Sequence, residues 1–269
     1  MFEKVKIFFG FASDQRVAEG WLSWQHILFV TIAIGIATAL GIYFGRKNRT
    51  KTAEEKVKVL KVAALLIVGF ELFKIGIICW RNHNIMEIRS NLPLFLCSIM
   101  LFALPIAAFS KGRLQEAALD FSLSFGFLCA IAGTYLAGNI FSGPILKFDP
   151  IVSVTTHCIS GFSAVYIGVS GLVRMKKENL WISAMILIVF ELLALGVDIL
   201  QVKSDYMDNY MFFMRPDGTP FSILMGLAKN VQWVYTLLVG LIYFVYLAAF
   251  DAVFCIFFAS AKQKQKSHI

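Results

Sequence analysis

The chain has 269 residues, 58% hydrophobic and 16% charged, with 26 phenylalanines and a mean hydropathy of +0.73. A soluble domain carries about 25% charged residues, so a water-soluble globule is excluded, and continuous apolar runs of about 20 residues point to transmembrane helices rather than barrel strands. The net charge of +8 does not mark nucleic-acid binding, because seven basic residues cluster between Arg46 and Lys61, where a cytoplasmic loop meets anionic lipid.

In chain order, Ile7 to Ala12 is too short for a signal-peptide core and no cleavage site follows, so the chain is expected to stay intact. The pattern then predicts an all-α polytopic membrane protein, one membrane-embedded domain over 1–269. Its seven transmembrane helices lie near 24–44, 59–79, 92–109, 117–138, 151–173, 180–200 and 229–258. The third is short and the seventh long. Alternate connections hold fifteen basic residues on one side and nine on the other. The richer side faces the cytoplasm, which puts the N-terminus outside the cell membrane and the C-terminus inside. Leu66–Leu72 in the second span resembles Leu187–Leu192 in the sixth, and His26 and His157 hold corresponding places. These matches suggest a 3+1+3 parallel repeat with the fourth span as linker.

Polar residues gather in the outer half of this arrangement. Asn91 is a candidate N-cap for the third span, Pro93 is tolerated in its first turn, and Cys97 lies ~6 Å deeper. The fifth span enters behind Asp149-Pro150 and carries His157 at ~10 Å. Ionisable groups in a bilayer are costly and mark functional sites by default. Cys97 and His157 are therefore candidate nucleophile and base, with Glu191 or Glu71 as the orienting acid. The competing readings are a small buried thiol and a Glu71–Lys74 ion pair at i,i+3 spacing. His26, Lys74, Gln232 and Arg215 are candidate substrate contacts. The last outer loop, Asn209 to Phe221, mixes aromatics with a Pro216-Asp217-Gly218 turn and is expected to anchor at the interface.

Several other chemistries lack their residues. The five cysteines are odd in number and contain no CxxC, so neither a zinc site nor a disulfide framework is indicated, and no metal or cofactor is expected. Gly168-Val169-Ser170-Gly171 has the GxSG form of intramembrane serine proteases, but His157 lies ~20 Å away along the same helix. Helix packing by small residues is the expected role of that word. HxxxxD, a P-loop, HExxH and GxGxxG are absent, as is a mid-membrane lysine in the seventh span for a retinal.

Leu92-Pro93-Leu94-Phe95-Leu96-Cys97, Thr155-Thr156-His157 and Asn209-Tyr210-Met211-Phe212-Phe213 resemble bacterial YwaF-like integral membrane proteins over nearly the whole chain. That family is similar to a vertebrate cysteine-dependent transmembrane acyltransferase of ether phospholipids. Trp21-Leu22-Ser23-Trp24-Gln25 echoes its first helix, Cys97 falls at its cysteine, and His157 at a later histidine. A more distant likeness is to androgen-induced membrane hydrolases of fatty-acid esters. Ser98 stands where the acyltransferase pattern has a histidine, and Pro93 lies further from the cysteine. The resemblance implies a lipid acyltransferase or acyl hydrolase acting on a phospholipid or fatty-acyl substrate. A small-solute or proton-coupled transporter and a non-catalytic membrane scaffold are the alternatives. Membrane lipids are the expected partners, and no nucleic acid is. The sequence does not set the oligomeric state.

Overall fold

The computed structural model describes residues 2–173, 176–202, 209–217 and 219–266. Outside it lie Arg174, Lys203 and Gly218, with the side chains of Lys177, Lys262, Lys264 and Lys266. Among the described residues the chain is helical throughout, without a strand. The α-helices are α1 (Phe2–Phe9), α2 (Trp24–Asn48), α3 (Ala53–Arg81), α4 (Glu87–Ser90), α5 (Met100–Phe109), α6 (Gly112–Ile131), α7 (Phe148–Ser170), α8 (Leu180–Gln201), α9 (Ser222–Leu227) and α10 (Gln232–Lys266). Six stretches are long and apolar enough to cross a membrane: α2, α3, Gly112–Leu136, α7, α8 and Gln232–Cys255. The expected third span instead appears as a shorter apolar helix, Leu96–Phe109.

Local chemistry sets the helix ends. Ser23 caps α2 by accepting from the His26 N–H, and Thr52 and Glu55 form a reciprocal capping box on α3. Helix α7 begins at Phe148 and carries Pro150 in its first turn, where a missing N–H costs nothing. It ends at Gly171, whose φ of 70° lets its N–H and that of Leu172 close on Gly168 and Ile167 carbonyls. The GxSG word is thus a helix terminus. It also takes part in small-residue packing: an added Cβ on Gly45 of α2 would come within 2.8 Å of Val169 in this word, and one on Gly41 within 2.9 Å of Val165.

Helix α6 is the hub. Every residue from Ala117 to Gly126 is buried, and α6 packs against α5, α7, α8 and α10. The fourth span therefore forms the centre of the bundle. By contrast α2, α8 and α10 turn most of their apolar surface outward, as lipid-facing helices do.

The entry to α5 differs from the sequence expectation. Asn91 closes α4, its side-chain amide donating to the Glu87 carbonyl, instead of capping the next helix. Pro93 disfavours helical backbone at Leu92, and the chain makes a tight turn there, the Leu94 N–H donating to the Leu92 carbonyl, before a 3-10 turn, Leu96–Ile99, leads into α5. Cys97 thus sits on a 3-10 turn ahead of the α-helix.

The outer loop also differs. Tyr210 and Met211 are fully buried and Phe213 nearly so, in the main core rather than at an interface. The Asp198 carboxylate accepts from the Tyr210 N–H at 3.0 Å. Tyr243, Tyr235 and Gln232 donate to the carbonyls of Met211, Phe212 and Phe213. These bonds hold Met211 and Phe212 at φ 53° and 61°, a left-handed backbone that non-glycine residues rarely adopt.

Candidate functional site

Three elements meet around Cys97: its own 3-10 turn, α3 and α7, with α3 packing against both α5 and α7. His157 faces inward from α7 and is 6% exposed. Its Nδ1 lies 2.5 Å from the Ser153 carbonyl one turn earlier. A carbonyl oxygen can only accept, so Nδ1 carries the proton and Nε2 of the neutral ring presents its lone pair. Nε2 has no directed hydrogen bond among the described residues. Cys97 lies near the ring without making a directed hydrogen bond to it. A second thiol, Cys129 on α6, donates to the Leu96 carbonyl at 3.6 Å and is buried.

Lys74 and Glu71 form an ion pair of 2.7 Å on α3, with side chains 20% and 10% exposed. Both lie near Cys97, and Lys74 also lies near His157. Four of the sequence candidates, Cys97, His157, Glu71 and Lys74, therefore share one neighbourhood.

The remaining four lie elsewhere. Glu191 is half-buried on α8 beside Gly240 of α10, and Oε1 has no hydrogen-bond partner among the described residues. Tyr243 is a neighbour that Glu191 shares with Cys97. Nδ1 of His157 is held by a carbonyl of its own helix rather than by this carboxylate. His26 is fully buried and spends both ring nitrogens on backbone groups: Nδ1 accepts from the Leu22 N–H and Nε2 donates to the Thr134 carbonyl. Gln232 is committed to the Phe213 carbonyl, and Arg215 pairs with Asp217 at 2.6 Å.

Two neighbours escaped the sequence reading. Gly133 lies against the His157 ring so tightly that a Cβ there would overlap Cδ2 and Nε2. Phe95, two residues before Cys97, stacks edge-on against Tyr210 at 4.9 Å, so the tucked outer loop covers this side of the site. Apolar periodicity hides a glycine inside a helical run, and a loop tyrosine such as Tyr210 looks like any interfacial aromatic. Among the described residues no group of His, Cys, Asp and Glu is arranged to hold a metal ion.

A helical bundle with six membrane-crossing helices and ionisable groups buried among them is a multi-pass membrane protein. The model of the TMEM164 family matches residues 21–261, and the chain belongs to that family. No curated protein and no solved structure matches it.

Proposed function

We propose that the protein is a lipid acyltransferase or acyl hydrolase of the cell membrane, with Cys97 as nucleophile and His157 as base. The supporting observation is the hydrogen bonding of the His157 ring: Nδ1–H is held by Ser153, while Nε2 makes no directed bond among the described residues and has Cys97 in its neighbourhood. In this reading the Cys97 proton passes to Nε2 and the thiolate attacks an ester carbonyl. His157 returns the proton to the departing alcohol. The thioester is then resolved by a lipid hydroxyl, which completes transfer, or by water, which completes hydrolysis. Lys74, held by Glu71, supplies positive charge for the carbonyl oxyanion or for a headgroup phosphate. The likeness of the LPLFLC word to YwaF-like proteins, and through them to the ether-phospholipid acyltransferase, belongs to this reading as well.

In this reading the site faces the outer leaflet. Arg81, at the end of α3, pairs with Asp149 at the start of α7. The chain leaving the α6 end also reaches α7 at that point, so the ends of α3 and α6 share one side of the bundle. Residues 82–111 therefore carry the chain from that side back to the start of α6. In this reading the non-helical entry and the shorter apolar helix Leu96–Phe109 together make a seventh, discontinuous crossing.

The test is acyl release or transfer by purified protein in nanodiscs, with Cys97→Ser and His157→Ala alongside. Both variants are expected to lose activity by at least ~100-fold, within the usual range for losing a general base or nucleophile. Wild-type turnover in both would reject this pair.

A further inference from the structure

We propose that the turn after α6 and the segment Trp21–His26 form a clamp that fixes the His157 imidazole, making Gly133, His26 and Trp21 positioning residues. This rests on the Cys97–His157 reading above. Helix α6 does not end in a normal α turn. It widens into a π-helical turn, Ala132–Leu136, a geometry that inserts one residue per turn and recurs at functional sites. The last four carbonyls of a helix have no partner along it, and two of those that end this turn are taken up from α2 and its lead-in. His26 Nε2–H donates to Thr134 at 3.0 Å and Trp21 Nε1–H donates to Tyr135 at 2.9 Å.

The direction of the His26 bond is fixed by its other nitrogen. Nδ1 accepts the Leu22 N–H at 3.2 Å, so the ring proton must sit on Nε2. Leu22 itself is held at φ 60° to make that bond, and the Trp21 ring packs on Gly138 just beyond the π turn. The turn is thus stapled at two successive carbonyls by side chains from another helix. One residue before them stands Gly133, whose missing Cβ is the space occupied by the Cδ2–Nε2 edge of His157. With Ser153 holding Nδ1 on the opposite edge, the ring is confined from both sides. The buried imidazole of His26 therefore serves the site through the backbone, 108 residues along the chain, rather than by touching substrate.

The experiment reads Cys97 chemistry directly. The full chain in nanodiscs is treated with iodoacetamide at pH 7, and Cys97 alkylation is timed by mass spectrometry with thermal melting as a folding control. A thiolate is the reacting form, so His157→Ala is expected to slow alkylation about tenfold. Gly133→Ala, which must push the ring aside, is expected to slow it at least about threefold, and His26→Leu by a similar factor. His26→Gln keeps an N–H for the Thr134 carbonyl and should recover more than about half of the wild-type rate. Should Gly133→Ala fail to fold, the Leu and Gln variants at His26 still decide the matter. Wild-type rates in folded Gly133→Ala and His26→Leu, with His157→Ala slow, would overturn the clamp alone. A wild-type rate in His157→Ala would overturn the base and the clamp together. Equal impairment of the Leu and Gln variants would remove the His26 bond from the mechanism.

Discussion

Gly41 and Gly45 let α2 and α7 approach until the Val165 and Val169 side chains rest on the α2 backbone. At Gly41 the Phe162 carbonyl lies 3.0 Å from where a Cβ would stand, so the obstruction is partly main chain and cannot rotate away. Gly41→Leu is therefore expected to lower stability by about 1–3 kcal/mol, the usual cost of overpacking a filled contact. Melting in detergent measures it, and a matching change at Gly35, where nothing lies within 4 Å, should leave the midpoint almost unmoved. These residues show what sequence hides at this scale. Cys97 and His157 stood out because thiols and imidazoles are chemically distinctive. Gly41, Gly45 and Gly133 act by lacking a side chain, and a single sequence does not say which glycines face a neighbour.

At the scale of elements, Asp149-Pro150 announced the start of α7, whereas α3 begins at Ala53 behind the Thr52–Glu55 box, ahead of the expected residue 59. Ser23, the Thr52–Glu55 box and Pro150 each mark the helix they begin. The stretch before Cys97 misled because Asn91 is as good at closing a helix as at opening one, and its side chain serves α4. The loop after α8 misled for another reason: aromatics suit a membrane interface and a protein core equally, and the Asp198 bond to Tyr210 decides for the core. The lead-in before α2 offers a pH test. Asp14 is bonded by the Arg16 side chain and backbone, with Lys147 at 3.6 Å, and these donors hold its carboxyl down at about 2. A depressed carboxyl stabilises the fold above its unfolded pKa of about 3.9 and loses that contribution as pH falls toward the folded value. Asp14→Asn should thus melt below wild type at pH 5, and the two curves should converge as pH falls from about 4 to about 2. A gap that persists at pH 2 would mean that the carboxyl's charge is not what joins the lead-in to the loop at Lys147.

For the whole molecule, topology turns on one stretch. Six long helices alone would return the chain to the side where it started, while a crossing by residues 82–111 sends the termini to opposite sides. Side-chain bonds between distant elements sort the ends consistently. Tyr166, late in α7, donates to the Lys56 carbonyl at the start of α3, and Ser183, early in α8, donates to the Ala117 carbonyl early in α6. At the other end Arg81 bonds the Phe9 carbonyl as well as Asp149, which carries α1 to that side. The end with Lys56 and Lys58 also holds the basic 46–61 loop, so the positive-inside rule predicts the cytoplasm for that end and the outside for α1. The apolar pattern conveyed the number of hydrophobic segments but not that one of them is broken, since a 3-10 entry and a full helix have the same composition. The check is single-cysteine labelling in intact cells on a background with Cys79, Cys97, Cys129, Cys158 and Cys255 replaced. A cysteine at Ser13 should react with an impermeant maleimide and one at Lys51 only after permeabilisation. A cysteine at Lys111 should behave like Lys51 if residues 82–111 cross, whereas outside reactivity there would leave six crossings and move Cys97 off the path between the two leaflets.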